Sequence, residues 1–247
     1  MRTHRLFSET ALDSGGTVTL SPRNEHYLLH VLRVEAGQPL QLFDGNGAEY
    51  RAVVREVSRK RLTIEVLEPQ DPNLLTPESP LATTLAIGVS KGERMDWAVQ
   101  KATELGVSRI QPLQSKRVDV KLTVERWQKK QEHWRDVAIS ACEQCGRSRI
   151  PTISKPLGLS SWLESDHNEF KVVLRAGQTP LVKLIENHPV AAKASILIGP
   201  EGGLAPEEFE QALEQGYVAA SLGPRVLRTE TAPVVALSLL QAIWGDI

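Results

Sequence analysis

The sequence predicts an α/β chain in two parts: a small β-barrel over residues 1–70 and a larger domain over 83–247 built on a mostly parallel sheet. Three observations carry that expectation. The first 68 residues are rich in strand formers that partly alternate apolar with polar. A linker over 71–82 follows, and the stretch "PQDPNLLTPESP" (69–80) holds four prolines, which break ladders and helices alike. Beyond it, short apolar strands alternate with helical patterns, the rhythm of a sheet covered on both faces.

In the first part, strands are expected at 17–20, 39–44, 48–57 and 61–68. "DGNG" (44–47) and "SRK" (58–60) read as hairpin turns. "SPRNEHYLLHVLR" (21–33) reads as a short helix, with Ser21 as its cap and Pro22 in its first turn. A compact barrel carrying one helix closes such strands. In the second part, strands are expected at 83–89, 109–113, 171–174, 194–198 and 218–222. Met95, Ala98, Val99, Ala102 and Leu105 fall on one helical face, and Gly106 ends that helix. A second stripe runs through Trp127, Trp134, Val137, Ala138, Ala141 and Cys145. Pro206 with Glu207 and Glu208 starts a third helix, and "PVVALSLLQAIW" makes the last.

With 41% hydrophobic and 24% charged residues, the chain has the balance of a globular protein with a proper core. "MRTHRLFSET" lacks the apolar run of a signal peptide, and the longest mostly apolar stretch, 232–244, is too short to span a bilayer. A soluble cytoplasmic protein with no membrane partner is expected. Net charge is −1 but unevenly spread: residues 86–150 hold thirteen basic and eight acidic side chains, residues 151–247 seven and eleven. A basic middle suits a local polyanion-binding face, and equally an ordinary solvated helix surface. Cys142 and Cys145 form a C-x-x-C with no second pair to complete a zinc site, so they are expected as small thiols on a helix, with no metal bound.

Two loops carry the chemistry. "LIGPEGGL" (197–204) joins a strand to a helix through three glycines, which permit a tight turn and close backbone approach. No G-K-[ST] follows it, and Glu201, Glu207 and Glu208 stand where a phosphate would sit, so a neutral or cationic ligand fits better. "LGPRVLRTETAP" (222–233) places Arg225, Arg228 and Glu230 between two apolar segments. A connection needs no such set, whereas a site that requires a fixed cation and a fixed acceptor does. Both loops leave strands at the carboxyl end, where parallel sheets bind ligands.

These two loops, with "KGERMDWAVQKATELGV", "ACEQCGRSRIP", "HVLR" and "LQLFDGNG", closely resemble the bacterial 16S ribosomal RNA uracil-N3 methyltransferases of the SPOUT superfamily, along nearly the whole chain. The resemblance implies a PUA-like RNA-binding barrel followed by an α/β domain tied in a deep trefoil knot, an exception to the avoidance of threaded chains. It implies a homodimer that takes S-adenosylmethionine as cofactor and 16S ribosomal RNA of the small subunit as partner, with no DNA. On this sequence it assigns cofactor contacts to Leu174, Ile198, Gly199, Gly202, Leu222, Gly223, Val226 and Leu227.

The reaction so implied methylates N3 of one uridine. Uracil N3 carries a proton and is a weak nucleophile. Arg228 is expected to stabilise charge spreading onto O2 and O4, with Glu230 as proton acceptor and Glu201 behind it. N3 lies on the Watson–Crick edge, so the base must be unpaired or flipped out. Arg5, His26, Arg33, Lys91, Arg94 and Arg147 are the expected RNA contacts. Three alternatives stay open on the residues: a non-catalytic RNA-binding or assembly factor, a phosphate-using enzyme, and a methyltransferase acting on another RNA.

Overall fold

The structure is a computed structural model that describes residues 3–58, 61–70, 77–90, 92–118 and 123–247. Its contacts divide the chain into two compact units: Met1–Glu78 with Cys142–Ile150, and Ser79–Ala141 with Pro151–Ile247. Most of the expected linker, 71–76, lies outside the described residues, as do 59–60 of the second expected hairpin turn and Lys91.

The first unit holds β1 (His4–Phe7), β2 (Thr17–Val18), α1 (Pro22–His26), β3 (Pro39–Phe43), β4 (Glu49–Ser58) and β5 (Arg61–Pro69). The sheet order is β1-β3-β4-β5-β2; β1 runs parallel to β3 and the other pairs are antiparallel. All five strands and the helical segment feed one apolar core that includes Leu6, Val18, Leu28, Leu40, Leu42, Val54, Ile64 and Val66. Ser21 caps α1 by accepting from the Asn24 N–H at 3.3 Å, and Pro22 occupies the first turn, as the residue types predict. The helix then widens into a π-helical turn over Tyr27–Leu32, closed by Arg33 in the left-handed region at φ 51°. β1 was missed because four residues are too few to show a period.

The second unit holds β6 (Ala82–Gly88), α2 (Glu93–Glu104), β7 (Arg109–Gln114), α3 (Val124–Cys145, whose last turn belongs to the first unit), β8 (Thr152–Ile153) and β9 (Leu157–Gly158). It continues with α4 (Leu159–Ser165), β10 (Phe170–Leu174), α5 (Leu181–Glu186), β11 (Lys193–Ile198), α6 (Pro206–Glu214), β12 (Val218–Ala220) and α7 (Thr231–Trp244). Its sheet runs β12-β10-β11-β6-β7-β8, with β9 beside β7, and every pairing is parallel. Successive strand residues point to opposite faces. Ala86, Leu113, Val173 and Leu197 meet Leu159, Trp162, Leu163, Phe209 and Ala212 of α4 and α6. Helices α2 and α5 both pack on α7. The five expected strands and four long helices are all present, with ends shifted by a residue or two. The two-residue strands and the short helices α4 and α5 were not foreseen: six or seven residues are too few to hold a helix by propensity, and burial of Trp162, Leu163, Leu181 and Ile185 does it instead.

Candidate functional site

The carboxyl ends of β10, β11 and β12 open onto one cavity of about 490 Å³, within the usual range of small-molecule sites. Three segments wall it: Leu174–Ala176 after β10, Ile198–Leu204 after β11, and Leu222–Thr229 after β12, with Arg117, Pro206, Phe209 and Ala232 completing the lining. The eight positions expected as cofactor contacts all line it: Leu174, Ile198, Gly199, Gly202, Leu222, Gly223, Val226 and Leu227. Parallel strands of unequal length bring these loops together from stretches 50 residues apart in the chain, as β10 lies between β11 and β12.

The glycine loop is locked by its own packing. Gly203 N–H donates to Pro200 O at 2.7 Å, and Gly203 adopts φ 69°, which suits glycine. A Cβ on Gly199 would lie 2.7 Å from the Leu204 nitrogen, and one on Gly88 of β6 would lie 2.5 Å from the Pro200 nitrogen. So Gly199 and Gly88 are needed for the loop's fit to itself and to β6. A Cβ on Gly202 would meet only the Arg117 stem, 3.5 Å away, and one on Gly203 would meet nothing within 4 Å.

The acids of this loop are each held by a basic group or an N–H. Glu201 pairs with Arg94 at 2.9 Å. Glu207 pairs with the Lys116 ammonium at 2.5 Å, which keeps its carboxyl below the usual range. Buried Glu208 accepts from the backbone N–H groups of Lys116 (2.8 Å) and Ala205 (2.9 Å), so a glutamate in the first turn of α6 satisfies the N–H of the residue that precedes the helix.

The second loop answers its own puzzle. Its backbone walls the cavity, and its end starts α7: the Arg228 carbonyl accepts from the N–H groups of Thr231 (2.9 Å) and Ala232 (3.0 Å). Pro233 sits in the first helical turn, where a missing N–H costs nothing. Arg228 is 78% exposed and lies 4.0 Å from Glu230, whose side chain is 17% exposed. Both follow directly on the lining residues; Glu201 is itself part of the lining. Sequence reasoning missed Arg117 and Arg175, which also line the cavity. Arg175 stacks its guanidinium 4.4 Å above the Phe209 ring. Nothing local marked either residue.

The expected RNA contacts divide. His26 and Arg33 are exposed on the first unit, His26 with its ring 4.7 Å from that of His30. Arg94 is exposed and paired with Glu201 as above. Arg5 and Arg147 require correction. Arg5, 9% exposed, pairs with Glu49 and donates to the carbonyls of Cys142 and Arg147 at 2.8 Å. Arg147, 5% exposed, pairs with Glu78 at 2.9 Å. Their charge is spent inside the first unit, where they tie 142–150 to the rest of that unit, and neither is available to a phosphate. Burial pushes the Cys142 thiol up to about 12, the inert state expected of a packed cysteine. Among the described residues no cluster of acidic, histidine or cysteine side chains is arranged to hold a metal, and no helix is long and apolar enough to cross a membrane.

A parallel sheet with a glycine-walled cavity at its carboxyl edge, joined to a small β unit, defines a ligand-binding α/β enzyme with an accessory domain. Residues 77–241 match the model of the RNA methyltransferase domain, and residues 23–67 that of the RNA methyltransferase PUA domain. The chain belongs to this RNA methyltransferase family. It is 35% identical to the ribosomal RNA small subunit methyltransferase E of Buchnera aphidicola (subsp. Acyrthosiphon pisum), over 98% of this chain and 94% of that one. To the protein of the same name from Bacillus subtilis it is 30% identical, over 93% and 91%. Among solved structures, it resembles a Legionella pneumophila methyltransferase in complex with S-adenosylmethionine, with a TM-score of 0.92 and 38% identity over the whole of both chains. It also resembles the ribosomal RNA small subunit methyltransferase E of Neisseria gonorrhoeae bound to S-adenosylmethionine, with a TM-score of 0.88 and 37% identity, again over both whole chains.

Proposed function

We propose that this protein is an S-adenosylmethionine-dependent methyltransferase that modifies N3 of one uridine in the 16S RNA of the small ribosomal subunit. The observation that carries the reading is the single cavity at the ends of β10, β11 and β12, walled by all eight expected cofactor positions. The residues fit the cofactor: Gly203 and Gly223 leave open space where a side chain would stand, Leu174, Ile198 and Leu222 offer apolar surface to a base, and the volume suits a ligand of that size. When bound, S-adenosylmethionine supplies a methyl group on a sulfonium.

The chain's own residues do the rest. Arg228 offers a guanidinium to uracil O2 and O4, stabilising the negative charge that develops as N3 loses its proton. Glu230 takes that proton, and Glu201, released from Arg94, is its understudy. His26, Arg33, Lys91 and Arg94 contact the RNA, and those contacts weaken as salt rises. The first 70 residues serve as the RNA-binding barrel, 71–82 as linker and 83–247 as the catalytic domain. A trefoil knot in the catalytic domain belongs to this reading; the bonds from Leu181 N–H to Ser221 O and from Ser221 N–H to Thr179 O place the start of the 222–229 loop beside the segment that follows β10.

The protein acts as a homodimer in the cytoplasm, where its substrate is. Val235, Leu239, Ala242 and Ile243 form a partly exposed apolar stripe on α7, opposite the buried Ala236, Leu237, Leu240 and Trp244, and a second copy would cover it. Mass-spectrometric mapping of small-subunit RNA from cells lacking this protein tests the function: one N3-methyluridine is expected to vanish and to return on complementation. An unchanged methylation map refutes it, and a particle-assembly defect with an unchanged map would favour the assembly-factor reading.

A further inference from the structure

We propose that Arg117 is a positioning residue that pre-forms the glycine loop for the cofactor; this rests on the methyltransferase reading above. Arg117 lies three residues beyond β7, in a segment far in sequence from the loop. The backbone just before it is pinned to the start of α6, since the Lys116 N–H donates to Glu208 at 2.8 Å and the Lys116 ammonium pairs with Glu207. From that fixed base the Arg117 guanidinium donates to the Gly202 carbonyl at 2.7 Å. The next peptide atom is also tied, because the Gly203 N–H donates to Pro200 O at 2.7 Å. Both polar ends of the Gly202–Gly203 peptide unit are therefore fixed. Two adjacent glycines have the widest backbone freedom of any dipeptide and lose the most entropy when ordered. Without Arg117, one end of that unit is released and the cavity wall samples other shapes, so ligand binding must order it. Arg117 touches the cavity with its stem and acts on the cofactor through the loop it holds.

The test compares Arg117→Ala and Arg117→Lys with wild type by calorimetric titration of S-adenosylmethionine without RNA. Melting of the ligand-free protein and binding of small subunits without cofactor are measured in parallel. Arg117→Ala is expected to weaken cofactor binding about threefold, the scale of one lost charge-assisted hydrogen bond at an exposed site. Ligand-free melting and subunit affinity should stay unchanged, and Arg117→Lys should recover most of the loss by restoring a donor. Undiminished cofactor affinity in Arg117→Ala overturns the assignment, as does lost subunit affinity with cofactor affinity intact, which would make Arg117 an RNA contact. A drop in ligand-free melting that tracks the affinity loss in both variants also overturns it, by showing a role in folding. Wild-type protein that binds no S-adenosylmethionine overturns the parent reading together with this one.

Discussion

Arg228 and Arg147 carry the same charge and meet opposite fates. Arg228 stands in solvent beside the cavity loops, 78% exposed, while Arg147 is folded against Glu78 with 5% of its side chain showing. Removing the first should cost chemistry. Arg228→Ala is expected to lower single-turnover methylation about 100-fold with both ligands still bound, as for other fixed groups that stabilise developing charge. Near-normal turnover would remove it from the mechanism. Removing the second should cost stability. Arg147→Ala leaves the half-buried Glu78 carboxylate without its cation, with only the Ser148 and Arg149 N–H groups to hold it, and is expected to destabilise the fold by about 2 kcal/mol in urea unfolding, with subunit affinity unchanged in the protein that remains folded. From the sequence both arginines were expected to meet the substrate, Arg228 at the uracil and Arg147 at the RNA. Which one is buried depends on where Glu78 comes to lie, 69 residues away.

The glycine loop after β11 shows how a motif can be read correctly in kind and not in detail. Its three glycines were expected to bring backbone close to a ligand; Gly199 instead lets the loop fit itself, while Gly88 of β6 makes room for Pro200. Gly199→Ala would push a Cβ to 2.7 Å from the Leu204 nitrogen, with backbone on all sides that cannot step away. This variant is expected to lose the rise in melting temperature that S-adenosylmethionine gives wild type. Gly202→Ala meets only the flexible Arg117 stem at 3.5 Å and should fold normally. Thermal-shift measurements on both, with and without cofactor, check the contrast, and equal behaviour would refute it. The long helices were legible because α2 and α3 repeat their apolar residues over several turns. The helices α4 and α5 were not, since each gains its structure from the surface it covers.

The partly exposed stripe on α7 is the surface that the proposed homodimer would cover. An apolar helix end with apolar residues on both faces is unusual for a surface, and the expected result of Leu239→Glu is a monomer by light scattering where wild type is a dimer. A monomeric wild type would sink the homodimer. Much of the protein was already written in its residue order: the alternation of strands and helices, the cap at Ser21, the helix start at Pro206, and the two loops after β11 and β12. These are local patterns, set by periodicity, turn chemistry and short motifs that a chain carries wherever it folds. The tertiary structure alone decided that β10 lies between β11 and β12, so that Leu174 and Gly223 face the same space. It alone decided that residues 142–150 leave their neighbours to join the first unit, that Arg5 and Arg147 turn inward, and that Arg117 reaches the Gly202 carbonyl. Each of these pairs residues dozens of positions apart, and which of many equally polar partners meets which is fixed only when the apolar faces have packed and left one arrangement of the chain.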